Sequence, residues 1–117
     1  MKPKEVVAIK GVIGAGIFDT NGKLISYSSK TLSSEQADST AMLCGTIYSL
    51  IESIASLYSR FCGIKMHPVT RIDVISMDFG ISLMCSSRGC TGIIFNQNEL
   101  ERSKLDELLQ GMVEEIE

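Results

Sequence analysis

Apolar and polar residues alternate along the chain in two rhythms, one typical of strands and the other typical of helices. Near the N-terminus, an apolar, glycine-broken stretch at 12–18 and a β-rich stretch at 23–28 flank the turn residues around Asn21-Gly22, which predicts a β-hairpin. Three further strand-like stretches, separated by short turns, predict an antiparallel meander later in the chain. They span residues 69–77, 81–86 and 90–95.

A long helix is predicted between the hairpin and the meander. Ser33 and Gln36 have the spacing of a capping box, helical periodicity runs to about Phe61, and Gly63 ends it. This helix carries two apolar rows, although one row would suffice to cover a sheet. The first row is Ala37, Ala41, Cys44, Tyr48, Ile51, Ala55 and Tyr58, and the second is Leu43, Ile47, Leu50, Ile54, Leu57 and Phe61. The surplus row predicts a second packing partner, for which we favour the same helix of a second subunit; the alternative is a helix buried deeply within a monomer.

A shorter amphipathic helix is predicted at the end of the chain, with Asn98 as its N-cap and Glu101 as the capping partner three residues later. The order of elements is therefore β-β-α-β-β-β-α. Strands grouped in hairpins with few helices favour an α+β domain with a single five-stranded antiparallel sheet.

Length and composition are typical of one globular domain, residues 1–117, with 44% hydrophobic and 21% charged residues. The net charge of −3 disfavours a nucleic-acid partner. The apolar run at 6–9 is too short for a signal-peptide core or a membrane span, so we expect a cytoplasmic protein without membrane insertion. In that compartment the cysteines should be reduced thiols. They are Cys44, Cys62, Cys85 and Cys90.

Few residues suggest catalysis or metal binding. Cys62, His67, Cys85 and Cys90 could together form a Cys3His zinc site, but neither pair has the compact C-x-x-C spacing of a zinc knuckle. A Cys85–Cys90 disulfide across a hairpin is conceivable but disfavoured in the cytosol. We expect His67 to be a solvated loop residue, and we expect no metal, no cofactor, no catalytic residue and no enzymatic activity.

The glycine-rich run at 11–16, G-x-x-G-x-G, precedes a hairpin rather than a helix, which disfavours a nucleotide-binding loop. Gly14 and Gly16 should instead lie on one face of the first strand, where they allow a helix to approach closely.

From about Gly11 to Gln110 the sequence resembles the roadblock (dynein light chain) family, in particular its short stand-alone prokaryotic or archaeal members. The opening hairpin GVIGAGIFDTNGKLISYSS, the long helix, the strand RIDVISMDFG, the hairpin ISLMCSSRGCTGIIF and the closing helix follow in the family's order. Most members have several helical turns before the first strand, whereas here about ten residues precede Gly11, enough for two turns at most.

The resemblance implies a homodimer in which the third strands pair edge to edge and the long helices lie side by side. The interface residues that it implies in this chain are Leu43, Ile47, Leu50, Ile54, Arg71, Ile72, Asp73, Val74 and Ile75. It also implies a non-enzymatic scaffold that binds and regulates a small Ras-like GTPase, as an activator or an adaptor. The alternative is a profilin-like or PAS/GAF-like domain that senses a small molecule, which would require a concave apolar pocket with convergent polar groups.

Overall fold

The computed structural model describes residues 3–86 and 89–116 of the chain, with side chains described as far as residue 110. The element order is that predicted from the sequence, preceded by one short helix. The elements are α1 (Pro3–Val7), β1 (Val12–Phe18), β2 (Leu24–Ser29), α2 (Ser34–Cys62), β3 (Arg71–Ile75), β4 (Phe79–Ser86), β5 (Gly89–Asn96) and α3 (Arg102–Ile116).

The five strands form one antiparallel sheet in the order β2-β1-β5-β4-β3. The first strand in the sequence, β1, therefore pairs with the last, β5, in the interior of the sheet. Strands β2 and β3 form its two edges. The α+β fold predicted from the sequence is confirmed.

Helices cover both faces of the sheet. On one face, α1 and α3 bury apolar side chains against the central strands, among them Val6, Ile93, Phe95 and Leu105. On the other face, α2 buries Ala41 and Cys44 beside Phe18 and Leu83. Small residues face the sheet from α2, and they let the helix lie close to the strands.

The ends of α2 follow the sequence prediction. The amide of Gln36 donates to Ser33 Oγ at 3.2 Å, and the amide of Ser33 donates to Gln36 Oε1 at 2.9 Å, which completes the capping box. At the other end, Gly63 adopts φ 67°, and its amide donates to the carbonyl of Ser59. Both caps satisfy backbone groups that would otherwise lack a partner.

The prediction for the start of the last helix is wrong. We expected Asn98 to cap it, but α3 begins at Arg102, and the carbonyl of Glu101 accepts the amides of Lys104 and Leu105. The side chain of Asn96 accepts the amide of Asn98 instead, at 2.9 Å. Residues 97–101 thus form a turn, and a turn uses the same polar residue types as a helix cap.

The prediction for the glycine face of β1 also needs correction. A Cβ at Gly14 would lie 3.0 Å from Leu32 Cδ1, and a Cβ at Gly16 would lie 3.3 Å from Leu24 Cδ1. The two glycines therefore make room for leucine side chains beneath α2. The backbone of α2 closely approaches the β1–β2 turn at Gly45, where a Cβ would lie 2.8 Å from the Cα of Gly22.

Candidate interaction surface on α2 and β3

The outer face of α2 is apolar and exposed. The residues that α2 buries belong to one side of the helix: Ala37, Ala41, Cys44, Gly45 and Ala55. The second apolar row has turned away from the sheet, so that Leu50 is 60% and Phe61 85% exposed, while Leu43, Ile54 and Leu57 are also classed as exposed. Contiguous apolar surface of this kind on a folded domain marks an interaction site.

The C-terminal half of α2 receives little cover from the sheet. After Gly45, which lies against Gly22 in the β1–β2 turn, Ala55 is the one residue of the helix that is fully buried. The loop that follows α2 folds back along it instead. The amide of Met66 donates to Ser59 Oγ, and the amide of Val69 donates to Glu52 Oε2, each at 2.8 Å. The loop leaves the outer row exposed.

Strand β3 lies beside this row. Ile72 and Val74 pair with Leu83 and Ile81 of β4, on the face of the sheet that α2 covers. Ile47 of α2 is half-buried and packs in the same cluster as Ile72 and Ile81. Because β3 is an edge strand, its outer hydrogen-bonding side has no neighbouring strand among the described residues. We call the exposed row of α2 and the open edge of β3, which are linked through Ile47 and Ile72, the α2–β3 surface.

The charged side chains of β3 are neutralised within the protomer. Arg71 Nε lies 3.1 Å from Asp73 Oδ1, and an Arg71 terminal nitrogen donates to Asp106 Oδ1 of α3 at 3.0 Å. The hydroxyl of Ser82, a buried polar residue, donates to Asp73 Oδ1 at 2.6 Å. Partial burial alone would lower the pKa of Arg71, but the hydrogen bonds and charges of Asp106 and Asp73 outweigh it and raise this pKa.

The nine predicted interface residues lie on α2 and β3, but not all on the same face of the sheet: Ile72 and Val74 share the face that α2 covers, whereas Arg71, Asp73 and Ile75 alternate with them and point to the face that α3 covers. Six are exposed: Leu43, Leu50, Ile54, Asp73, Val74 and Ile75. Three are half-buried within the protomer: Ile47, Arg71 and Ile72. The two side chains of the row omitted from that prediction, Leu57 and Phe61, are exposed as well. Their helical spacing was the signal that could have added them.

Sequence reasoning missed apolar side chains outside the row. Tyr58, the last member of the first apolar row, is exposed. Ile64 and Met66, in the loop after α2, are exposed too. They lie in a glycine- and proline-flanked stretch without periodicity, so no pattern indicated on which side of the domain they would lie.

The cysteines differ from the prediction that all four are reduced thiols. Cys85 and Cys90 are direct partners in the register of β4 and β5, and their sulfurs form a disulfide. Cys62 is exposed and free, whereas burial raises the pKa of the free thiol of Cys44 to about 11. Within residues 3–86 and 89–116, no group of three or more histidine, cysteine, aspartate or glutamate side chains could hold a metal ion.

His67 lies in the loop after α2, as expected, and is exposed. It lines an open groove along α2 together with Tyr48 and Glu52. Partial burial, and secondly the charge of Glu52 and a hydrogen bond to it, raise the pKa of Tyr48. These polar groups lie on a different side of α2 from the exposed apolar row, since Tyr48 packs against the core.

By length and composition alone, α2 is also long and apolar enough to cross a membrane. The core helix of a soluble protein can pass the same test, so this is weak evidence. In this structure the helix is capped at both ends and lies against the sheet through its buried face. The helix is this apolar because it carries two apolar rows, and the protomer covers only one of them.

Comparisons with solved structures support the fold. The Roadblock/LC7 domain from Streptomyces avermitilis has a TM-score of 0.77 at 18% identity, over 97% of this chain and 90% of that chain. Myxococcus xanthus MglB has a TM-score of 0.64 at 17% identity, over 88% and 81%. An MglB structure with a tetrameric arrangement has a TM-score of 0.73 at 13% identity, over 93% and 76%. At these identities the likeness concerns the fold.

Comparison with curated proteins finds no match. A family described as an uncharacterized conserved protein (DUF2173) matches residues 2–112, which is nearly the whole chain. The chain therefore belongs to the DUF2173 family, and it has the roadblock fold that its sequence resembles.

Proposed function

We propose that the protein is a non-enzymatic homodimeric scaffold that binds and regulates a small Ras-like GTPase. The observation that carries the proposal is the α2–β3 surface, in which an exposed apolar helix row is linked to an open strand edge. Each feature is a liability for an isolated protomer, because exposed apolar rows and open edges favour association. Joined on one side of the domain, they match the interface that the roadblock resemblance implies.

A two-fold dimer would use both features at once. Edge pairing of two β3 strands would join the two sheets, and it would bring the outer rows of the two α2 helices together. The charges on β3 do not oppose this, because Arg71 and Asp73 already neutralise each other and Arg71 also reaches Asp106. Strand edges that must stay unpaired usually carry unpaired charges pointing toward the neighbour, so β3 lacks that protection.

The GTPase partner rests on the roadblock resemblance, since family dimers are platforms for small Ras-like GTPases. The MglB structures with the same fold support an assembly of several copies, because one of them has a tetrameric arrangement. A role without catalysis agrees with the chemistry of the α2–β3 surface, whose exposed members are mostly apolar. Such a scaffold would act by changing the conformation of the bound GTPase.

The experiment is a binding screen followed by a hydrolysis assay. Small Ras-like GTPases from the native genome are loaded with GDP or a non-hydrolysable GTP analogue and passed over the immobilised protein. We expect at least one to bind in a nucleotide-dependent way and to hydrolyse GTP at an altered rate when the dimer is added. The monomeric variant Leu50→Asp is the control and should lose the effect. If the dimer forms but no GTPase of that genome binds, the partner assignment is wrong.

The small-molecule sensor is the second candidate, favoured by an apolar cavity between the sheet and the first half of α2. Gly14, Gly16, Ala37 and Ala41 line it. Its volume is about 30 Å³, room for one or two water-sized groups. Pockets for metabolites usually enclose roughly 300 Å³ or more, so this cavity is too small to enclose a metabolite, and we prefer the scaffold. A thermal-shift screen that finds one strongly stabilising metabolite would reverse that preference.

A further inference from the structure

The second edge of the sheet, formed by β2, is also open. In the sheet order β2-β1-β5-β4-β3, the described residues provide β2 with one neighbouring strand, β1. Most of the strand is accessible: Ile25 is 64% exposed, and Ser26 and Tyr27 are classed as exposed. Its outer row of backbone amides and carbonyls can therefore accept an additional strand. This edge lies at the opposite end of the sheet from the α2–β3 surface.

An apolar groove lies over the neighbouring strand β1, one strand in from this edge. It is the cavity described above, and its lining includes Tyr27 and Ser28 of β2 in addition to Gly14, Gly16 and Leu32. The floor is low because the two glycines have no side chains, and Ala37 and Ala41 keep the wall formed by α2 equally low. A strand added to β2 would direct alternate side chains toward the face of the sheet on which this groove lies.

A lysine stands at each end of β2, and at the first end the carboxylate of Asp19 accepts the amide of Lys23 at 2.9 Å. Lys23 and Lys30 flank the strand, both are exposed, and neither forms an ion pair with another described residue. A second copy of β2 is a poor occupant for this reason. Antiparallel pairing over the full strand would place Lys23 of one copy opposite Lys30 of the other, and like charges that face each other across strands are destabilising.

We propose that the β2 edge binds an extended segment of another protein, which adds a sixth strand to the sheet. The segment carries acidic residues that meet Lys23 and Lys30 and, between them, apolar side chains that lie beside Tyr27 on the face of the sheet that α2 covers. Backbone hydrogen bonds supply affinity in this mode of recognition, and the side-chain contacts and the flanking charges supply specificity. The inference does not depend on the proposed dimer, because the two edges are at opposite ends of the sheet.

The test uses two synthetic peptides with one core. Ac-EEVTVTVEE-NH2 has the proposed chemistry, and Ac-KKVTVTVKK-NH2 differs only in its flanks. Binding is followed by amide chemical shifts of the full-length protein. We expect the acidic peptide to change the amide chemical shifts of residues 23–30 and to bind at least about tenfold more tightly than the basic peptide. This binding should weaken as salt is added. A peptide with glycine in place of valine should bind more weakly, because it loses the apolar contacts and because glycine weakens a strand.

Charge reversal in the protein completes the test. The variant Lys23→Glu/Lys30→Glu should prefer the basic peptide, whereas Lys65→Glu/Lys104→Glu has the same net charge, changes exposed lysines of the loop after α2 and of α3, and should behave like wild type. Three results would overturn the proposal. The first is that the acidic peptide leaves residues 23–30 unshifted at millimolar concentration, which would mean that the lysines only keep strand edges apart. The second is that the charge-reversed variant keeps the wild-type preference. The third is that the β2 amides shift with the concentration of the protein alone, which would assign the edge to a second copy.

Discussion

Leu50 offers the most direct test of the α2–β3 surface. Its side chain is 60% exposed in the protomer, so a substitution there should leave the fold intact. Ile47, four positions from both Leu43 and Ile51, is less suitable, because it packs against the protomer's own core through Ile72 and Ile81. We expect Leu50→Asp to convert the dimer into a folded monomer.

The magnitude follows from the area that the dimer would cover. Burying a whole leucine side chain is worth roughly 1.5–3 kcal/mol, so the exposed part of Leu50 contributes about 1–2 kcal/mol in each protomer. The aspartate loses this contribution twice in a two-fold dimer and adds two buried charges without partners, each costing several kcal/mol. A loss of more than about 4 kcal/mol raises the dissociation constant of the dimer at least about 1,000-fold.

Sedimentation velocity measures this change. The experiment uses about 50 µM protein, a concentration well above micromolar dissociation constants. The wild-type protein should sediment as a dimer with twice the 12.8 kDa mass of one protomer, and Leu50→Asp should sediment as a monomer. Two variants serve as controls. Leu50→Met keeps an apolar side chain and should remain dimeric. Ser49→Asp adds the same charge one residue away, about 100° around the helix, and should also remain dimeric. A monomeric wild type, or a Leu50→Asp variant that stays dimeric, would refute the reasoning.

Three further predictions concern the core. Between pH 9 and 11 the folded protein keeps the proton of Cys44 while the unfolded chain loses it, so the free energy of unfolding should fall by about 3 kcal/mol across this window. Denaturation at several pH values should show that the free energy of unfolding falls less across this window in Cys44→Ala than in the wild type. Iodoacetamide should label Cys62 before Cys44. Replacing Cys85 and Cys90 by alanine should cost about 2 kcal/mol, because the disulfide closes a short loop; non-reducing peptide mapping that finds both thiols free would contradict the pairing. Gly80→Ala should cost about 1–3 kcal/mol, because its Cβ would overlap a buried phenylalanine ring, and an unchanged urea midpoint would show that the ring can move aside.

The sequence could predict most of the fold because local rules and the tertiary structure agree along most of this chain. The capping box of Ser33 and Gln36 and the stop at Gly63 depend on residues within a few positions of one another. The predicted element boundaries that differ from the structure are those where the same residue types can also form a turn or a loop. Residues 97–101 became a turn instead of the first turn of a helix, and β3 shortened to Arg71–Ile75.

The candidate site could be predicted only in part. Two apolar rows on one helix indicated that two partners must cover it, but the periodicity treats both rows alike. Packing decided that the alanine-rich row faces the sheet, since small side chains allow the helix to lie close to the strands. It also decided that Ile47 is half-buried whereas Leu50, one turn further along, remains exposed.

What the sequence determined by itself is the kind and order of the elements, because hydrophobic periodicity and capping act over a few residues. Contacts between distant parts of the chain were decided by the tertiary structure alone. Arg71 meets Asp106 across 35 positions, and the register of β4 and β5, rather than the expected compartment, brings Cys85 and Cys90 together. The same physical reason applies to the two open edges: a strand becomes an edge only through the order in which all five strands assemble.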